Sequence, residues 1–309
     1  MKNNKIILIL ITVFISSLFI IGCSSEKDPV SPDPTPDKTK VKPVTNPLAY
    51  SLNNTSVVVK WTKSADENLP DFDGYLVRIL TTNNTLVRER TVNKSLDTLT
   101  VTDLTVGTIY NFEIIAKAQS NSTKYINSDA VTIQWSPAWR FDTEGTIPIK
   151  VYESSSSTGF ASGLIFYNPS TQQPKTVSLL SADSSLIDVY LFTVSGTSNV
   201  ELRSSHLYRA NRKITRFSTV AYDVNTLNDP RNTPPDTTTY TKFEWRIDSV
   251  AVSTSKIIYF KGNNGNYGRI LIERNPSNGT LIWGSSPEQY LQVRLSYQSV
   301  PYNRFSKQR

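Results

Sequence analysis

Apolar and polar residues alternate along most of this chain with a period of two, and this alternation limits the fold more than any other feature. In one such segment Tyr110, Phe112 and Ile114 fall on one face, while Asn111 and Glu113 fall on the other. Side chains alternate across a β-strand, so the pattern is typical of half-buried strands. After residue 23 we find no segment with the helical period of 3.6 residues. The sequence therefore predicts a mainly β protein.

The first 22 residues have the layout of a secretory signal peptide. Lys2 and Lys5 form a short basic start, and residues 6–21 form an uncharged apolar run. The alternative is a transmembrane anchor, but a membrane-spanning helix needs about 20 apolar residues and this run is shorter. We therefore predict a leader over residues 1–22 that is removed from the mature protein.

The residues Ile20-Ile21-Gly22-Cys23 resemble the lipobox of bacterial lipoproteins, with a small residue directly before the only cysteine of the chain. The resemblance implies cleavage between Gly22 and Cys23, lipidation of the Cys23 thiol and acylation of the new amine. Two or three acyl chains would anchor the protein stably, since one chain binds a membrane only marginally. By the same resemblance Ser24 favours the outer membrane, and both its periplasmic and its exterior face stay open.

Residues 23–46 are predicted to be the lipidated cysteine and a proline-rich linker. Proline fixes φ and favours the extended polyproline II conformation. At about 3.1 Å per residue, a semi-rigid linker of this length would reach roughly 70 Å. The alternative is a disordered tether. Both hold the folded part away from the lipid surface.

Residues 47–135 are predicted to form a first module of about seven short strands, as in a sandwich. Trp61, the segment 73–77 (DGYLV) and the segment 104–110 (LTVGTIY) resemble the corresponding positions of a fibronectin type III domain. The resemblance implies an immunoglobulin-like sandwich with Trp61 in its core. It also implies that Tyr110 is a corner tyrosine, whose hydroxyl bonds a backbone group near residues 104–107.

Residues 139–309 are predicted to form a second, β-rich antiparallel domain. Asn264-Gly265 predicts a tight hairpin turn, because this dipeptide tolerates positive φ, and Asn278-Gly279 predicts another turn. The segment YFKGNNGNYGRILIE, followed by LQVRLSYQ, resembles the closing strands of haemophore-like Bacteroidota lipoproteins. That family binds haem through histidine pairs, and His206 is the only histidine here. The resemblance thus implies a related β fold and argues against haem.

The net charge of the full chain is +7, and the excess of basic residues lies in the second module. Five cations and no acid occupy residues 202–216. Arg209, Arg212 and Arg216 are the candidate anion-binding residues, with a turn over residues 209–212 bringing them together. Arginine binds phosphate and carboxylate bidentately, so an anionic envelope glycan is the expected partner, with another envelope protein as an alternative. The other reading is a solvated basic face. Nucleic acid is not expected in this compartment.

The sequence contains no recognisable catalytic or metal-binding motif. His206 follows Ser204 and Ser205, but no nucleophile motif surrounds them, and one histidine excludes a two-histidine metal site. We therefore predict no catalytic residues, no metal and no cofactor. Paired carboxylates of a glycosidase type stay open in the second module.

The expected function is that of a membrane-anchored envelope lipoprotein acting as a non-catalytic binding, adhesion or assembly module. The alternative is a surface glycan-binding or glycan-processing protein. Trp283 is the candidate sugar-stacking residue, because it lies next to the polar segment GSSPE. We expect Trp245 in the core, since it shares a strand face with Phe243 and Ile247.

Overall fold

The computed structural model describes residues 37–138, 140–143, 145–153, 160–227 and 234–305. The predicted signal peptide and the lipidation site at Cys23 lie outside these residues. No helix in the described residues is long and apolar enough to cross a membrane.

The strands of the first module are two to ten residues long and lie close together along the chain. They are β1 (Thr39–Lys40), β2 (Thr45–Asn53), β3 (Ser56–Thr62), β4 (Phe72–Thr81), β5 (Leu86–Val92), β6 (Thr98–Val101), β7 (Tyr110–Ala118), β8 (Tyr125–Ile126) and β9 (Val131–Trp135).

In its described residues the second module contains the remaining strands and three short 3₁₀ helices. The strands are β10 (Arg140–Asp142), β11 (Ile149–Tyr152), β12 (Gly163–Asn168), β13 (Gln173–Val177), β14 (Val189–Thr193), β15 (Val200–Ser204), β16 (Arg216–Asp223), β17 (Tyr240–Lys242), β18 (Glu244–Ile247), β19 (Lys256–Lys261), β20 (Tyr267–Ile272) and β21 (Tyr290–Gln298). The 3₁₀ helices are Ala182–Leu186, Ser205–Leu207 and Thr237–Thr239.

The first module is an antiparallel sandwich of a three-stranded sheet, β2-β3-β6, and a four-stranded sheet, β5-β4-β7-β9. The predicted alternation is confirmed along β7, where every second residue from Tyr110 to Ala118 is buried. Trp61 is buried in the same core, as predicted. Strand β1 pairs in parallel with β8. Residues 39–46, which the sequence assigned to the linker, therefore already contain β1 and the start of β2.

The corner tyrosine is confirmed. The Tyr110 side chain is buried, and its hydroxyl accepts a hydrogen bond from the Thr105 backbone N–H at 3.1 Å. This bond ties the start of β7 to the turn that precedes it, which is the arrangement expected where the chain crosses between the two sheets.

The second module is also a sandwich, and its two sheets are antiparallel. The larger sheet has the order β10-β21-β20-β19-β16-β17, with β11 also paired to β21, and the smaller has the order β13-β12-β14-β15-β18. Their facing sides share one apolar core, in which the rings of Phe166 and Phe260 stack at 3.8 Å between centroids. Strands β17 and β18 are separated only by Phe243, so one nearly continuous strand passes from the edge of one sheet to the edge of the other.

The two predicted turns are confirmed by their backbone. Gly265 has φ of +79° between β19 and β20, and Gly279 has φ of +77°. Glycine adopts this left-handed region at little cost because it has no Cβ. The hairpin register places Lys261 opposite Tyr267, which makes β19 and β20 neighbours on the large sheet.

The segment after β21, up to residue 305, returns to the first module. Phe305 is buried in the core of the first sandwich, although it follows the last strand of the second. Asn303 Nδ2 donates to Ser136 Oγ at 3.0 Å, and Gln298 Nε2 donates to the Phe305 carbonyl at 3.1 Å. These contacts lock the two modules together, so they form one compact unit.

Candidate functional site

The site residues predicted at the N-terminus, Gly22 and Cys23, lie outside the described residues. Signal cleavage and lipidation therefore stay predictions. The candidate binding residues of the second module are all described.

The basic stretch 202–216 is less isolated than its sequence indicates, because the fold brings carboxylates to two of its cations. Arg203 Nη2 lies 2.6 Å from Glu201 and its Nε lies 3.6 Å from Glu244. Lys213 Nζ lies 3.1 Å from the buried carboxylate of Asp188. The expectation of five unbalanced charges is thus corrected: Glu201 lies just before the stretch on the same strand, β18 pairs with β15 and brings Glu244 to Arg203, and Asp188 reaches Lys213 from before β14.

The three candidate arginines do not form one surface patch. The predicted turn is present, since the Arg212 N–H donates to the Arg209 carbonyl at 3.0 Å. Arg209 and Arg212 both lie over the Tyr208 ring, with guanidinium carbons 5.7 and 4.8 Å from its centroid. Arg216 instead lies 4.6 Å from the ring of Phe243. Arg212 is only 7% exposed, so of the pair on Tyr208 only Arg209 is a surface cation.

A cleft of about 650 Å³ opens beside the edge strand β18. Its lining mixes acids, bases and apolar groups, namely Glu201, Leu207, Lys242, Phe243, Glu244 and Arg246. Two carboxylates converge here, as a glycosidase would require. Both contact Arg203, however, which compensates their charge and makes the arrangement an ion-pair network.

His206 forms a hydrogen-bonded pair with Ser204, with Nδ1 and Oγ 2.7 Å apart. Ser204 is fully buried, and its Oγ also accepts the Thr215 N–H at 2.8 Å. The nearby Asp188 carboxylate binds Lys213 and the Phe166 N–H instead of the imidazole. A serine nucleophile needs access to substrate and a base oriented by a carboxylate, so these contacts indicate a structural pair.

Burial lowers the pKa of the His206 imidazole, and the positive charge of Arg216 lowers it further. The ring also packs edge-to-face on Phe243 at 4.7 Å between centroids. Both surroundings disfavour the charged form, so the neutral imidazole is stabilised near neutral pH.

Trp283 is half-buried at one end of a row of four aromatic rings. Its backbone pairs with Tyr290, which lies opposite Tyr152 in the β11–β21 register. The ring of Phe160 also packs against that of Tyr152. The centroid distances are 4.5 Å from Phe160 to Tyr152, 5.0 Å from Tyr152 to Tyr290 and 6.3 Å from Tyr290 to Trp283. We call these residues (Phe160, Tyr152, Tyr290 and Trp283) the aromatic row.

Only one end of the aromatic row, the pair of Trp283 and Tyr290, has nearly parallel rings of the kind on which a sugar ring stacks. The Trp283 and Tyr290 planes are only 25° apart, whereas the other neighbouring planes are tilted by 43–44°. The Trp283 Nε1–H donates to the Glu273 carbonyl at 3.1 Å, which holds the indole in place. Lys150 Nζ lies 5.0 Å from the Tyr290 centroid and adds a polar group beside the rings. Sequence reasoning found Trp283 and missed its partners, because cross-strand register cannot be read along one strand.

Trp245 packs against the core of the second module, as expected, and Lys242 Nζ lies 4.8 Å from its ring. Among the described residues, no group of three or more histidine, cysteine, aspartate or glutamate side chains is arranged to hold a metal ion.

Comparison with known proteins identifies the first module. Residues 42–125 match the family model described as Fibronectin type III domain. This module is therefore a fibronectin type III domain, in agreement with its seven-stranded sandwich and corner tyrosine. A comparison with curated proteins found no match.

Several solved structures are similar to parts of the chain. A two-domain fibronectin type III segment from chicken tenascin is 10% identical, with 72% of this chain and 91% of that chain covered and a TM-score of 0.26. Domains d3–d4 of the rat CD45 extracellular region are 14% identical, with 44% and 83% covered and a TM-score of 0.26. A computationally redesigned β-sandwich protein is 21% identical, with 32% and 96% covered and a TM-score of 0.26.

Proposed function

We propose that this chain is a lipid-anchored protein of the bacterial envelope, whose folded part is a non-catalytic binding, adhesion or assembly module. A fibronectin type III domain indicates a binding or adhesion type of module. The anchor would be the lipidated Cys23, and the outer membrane would be its location. The partner would be an anionic envelope glycan or another envelope protein.

The observation that carries this proposal is the locked junction between the two modules. Phe305 fills the first core, and Arg304 Nη1 donates to the Pro235 carbonyl at 2.9 Å in the second module. Two flexibly joined modules would present their surfaces in many relative orientations. A locked pair presents these surfaces in one relative orientation. Less conformational entropy is therefore lost when a large partner binds to both modules.

The anchor is tested by the Cys23→Ser variant, with Ser25→Ala as the matched control because it changes a nearby hydroxyl but keeps the modified thiol. We expect lipid labelling and membrane association of the wild type and of Ser25→Ala, and loss of both in Cys23→Ser. Intact-mass analysis of the wild-type protein should give a chain that starts at Cys23 and carries acyl groups. A mature chain without acyl groups would overturn the anchor proposal.

A second candidate function is glycan binding at the aromatic row, supported by the near-parallel pair of Trp283 and Tyr290. Aromatic faces offer large, rigid contact areas, and Lys150 would supply a polar contact beside them. We expect Trp283→Ala to weaken binding of xylan or a mixed-linkage β-glucan about tenfold or more, the loss typical of a central aromatic contact. Tyr302→Ala, at an exposed tyrosine outside the row, is the control. Equal binding by both variants and the wild type would reject this candidate.

A further inference from the structure

The side chain of Arg212 is a buried cation without a carboxylate partner among the described residues. Its Nη2 donates to the Leu179 carbonyl at 2.8 Å, and its Nη1 is buried and has no hydrogen-bond partner. The guanidinium lies over Tyr208, which offers a second, weaker contact. Burying a charge is costly unless it is paired and hydrogen-bonded. The arrangement is therefore incomplete as it stands.

A second cation lies against the same ring. Arg209 is exposed and shares Tyr208 with Arg212, and its positive charge lowers the pKa of the Arg212 guanidinium, although burial lowers it more. Two like charges on one ring repel each other, and an anion close to both would offset that repulsion. By contrast, Arg203 and Lys213 in the same stretch have carboxylate partners. Arg209 and Arg212 thus differ from Arg203 and Lys213, because among the described residues neither of them has a carboxylate partner.

Two hydroxyl groups on the surrounding loops also lack partners. Ser181 Oγ and Ser205 Oγ are buried, and within the described residues neither makes a hydrogen bond. Ser181 lies two residues after Leu179, to which Arg212 is bonded, and the Ser205 carbonyl accepts the N–H groups of Tyr208 and Arg209. The same two loops therefore contain an unpaired guanidinium nitrogen and two unpaired hydroxyls.

We propose that Arg209 and Arg212, held on Tyr208 between the loops at residues 178–187 and 205–212, form a binding site for a phosphate group. A phosphate has the negative charge and the several acceptor oxygens that these donors require, and arginine binds it through directed N–H bonds. The inference deepens the proposed binding function by naming the chemistry of one ligand. It does not depend on the lipid anchor.

The surroundings allow two sources for the phosphate. Leu180, next to the residue that binds Arg212, is 78% exposed, and Leu186 on the same loop is also exposed. Apolar side chains beside a cationic site suit the headgroup of an anionic lipid, whose acyl chains would contact them. A free phosphate or a phosphorylated glycan offers the same oxyanion without the apolar contact.

The test uses residues 23–309 carrying Cys23→Ser, so that no attached lipid contributes. Inorganic phosphate binding is measured by calorimetry, and vesicle binding by co-sedimentation with phosphatidylglycerol or with phosphatidylcholine. We expect binding that weakens with rising ionic strength, since the attraction is between charges. Preference for phosphatidylglycerol vesicles, displaced by phosphate, would support a lipid source. Binding of inorganic phosphate without vesicle binding would support a soluble source.

Two variants and one control locate the site. Arg209→Gln and Arg212→Met should each weaken binding about tenfold or more, the loss of one charge-assisted hydrogen bond. Arg246→Gln, which removes a cation already paired with Asp248 on the same module, should leave binding unchanged. Binding that is absent in the wild type, or equal in all variants, would overturn the proposal.

The Arg212→Met variant also separates a binding role from a structural one. If Arg212 awaits an anion, removing its uncompensated buried charge should offset much of the lost bond to the Leu179 carbonyl, so the thermal unfolding midpoint without phosphate should fall only slightly. Addition of phosphate should then raise the midpoint of the wild type but not that of the variant. A midpoint that falls steeply in Arg212→Met, with phosphate binding retained in Arg209→Gln, would assign both arginines to structure alone.

Discussion

The ring of Phe305 packs against the indole of Trp135, with 4.9 Å between the ring centroids. Trp135 ends the last strand of the fibronectin type III domain, and Phe305 follows the last strand of the second module. The indole Nε1–H in turn donates to Ser51 Oγ at 3.0 Å, which fixes the tryptophan within the first sandwich. The two modules are therefore joined by a buried contact between residues 170 positions apart in the sequence.

We expect Phe305→Ala to destabilise the fibronectin type III domain by about 3–5 kcal/mol, because it removes a buried ring and leaves a cavity. Denaturant unfolding followed by tryptophan fluorescence would measure the loss. Val250→Ala, at an exposed apolar residue, should change stability by less than about 0.5 kcal/mol. A loss of similar size in both variants would show that the contact with Trp135 contributes little.

The turn at Gly265 should be more sensitive to a side chain than another glycine turn. Both Gly265 and Gly196 have positive φ, so alanine at either costs about 1–2 kcal/mol in the left-handed region. A Cβ at Gly265 would also meet Tyr302 Cε1 at 2.7 Å, whereas nothing lies within 4 Å at Gly196. We therefore expect a larger loss of unfolding free energy for Gly265→Ala than for Gly196→Ala.

The excess loss at Gly265 should vanish when Tyr302 is also changed to alanine, since the added methyl group then has room. A double-mutant cycle of Gly265→Ala and Tyr302→Ala measures this coupling. No coupling in the cycle would show that the loop accommodates the methyl group by itself.

We expect Tyr110→Phe to lower the unfolding free energy by about 0.5–1.5 kcal/mol, the net contribution of one hydrogen bond, and by more if the Thr105 N–H is left unpaired. Tyr302→Phe is the matched control, because that tyrosine is 75% exposed. The expected loss depends on the corner bond alone, since the phenyl ring keeps its packing. Equal stability of the two variants would contradict a stabilising corner tyrosine.

The chain has one histidine, so the titration of His206 can be followed without overlap by the NMR signals of its ring. We expect its pKa to lie below the ordinary value of about 6.5, and Arg216→Gln to raise it by removing the adjacent charge. Since the folded-state pKa is lowered, folding is favoured above the unfolded-state pKa. That stability is lost as the pH falls below about 6.5.

His206→Gln is the control for the pH dependence, because it removes the titrating group. It should flatten the decline in stability between neutral pH and the folded-state pKa of the wild type. A wild-type pKa at or above the ordinary value would contradict the effect of burial and of Arg216.

The sequence was informative where one strand could be read by itself. Alternation along residues 110–118 predicted which side chains are buried, because every second residue of a strand faces the same side. Gly265 and Gly279 predicted their turns, since positive φ is a local property of the backbone. The resemblance to a fibronectin type III domain predicted the bond of Tyr110, whose partner Thr105 is only five residues away.

The candidate binding residues depend on contacts between distant segments, and the sequence was a poorer guide to them. The stretch 202–216 contains no acid, yet Glu244 reaches Arg203 because β18 lies beside β15. Trp283 stood alone in the sequence, whereas the β11–β21 register brings Tyr152 and Tyr290 into line with it. The sequence predicted that Arg212 is a surface cation, whereas its side chain is buried in the structure.

By itself, the sequence determined the β class, the module order and the turns, and it predicted a lipid anchor at Cys23. Each depends on neighbouring residues along the chain, whose spacing and backbone preferences are local. Only the tertiary structure decided that Phe305 completes the first core, that Arg209 and Arg212 share Tyr208, and that Arg216 does not join them. Strand order and register set these contacts, and they arise from packing two sheets face to face.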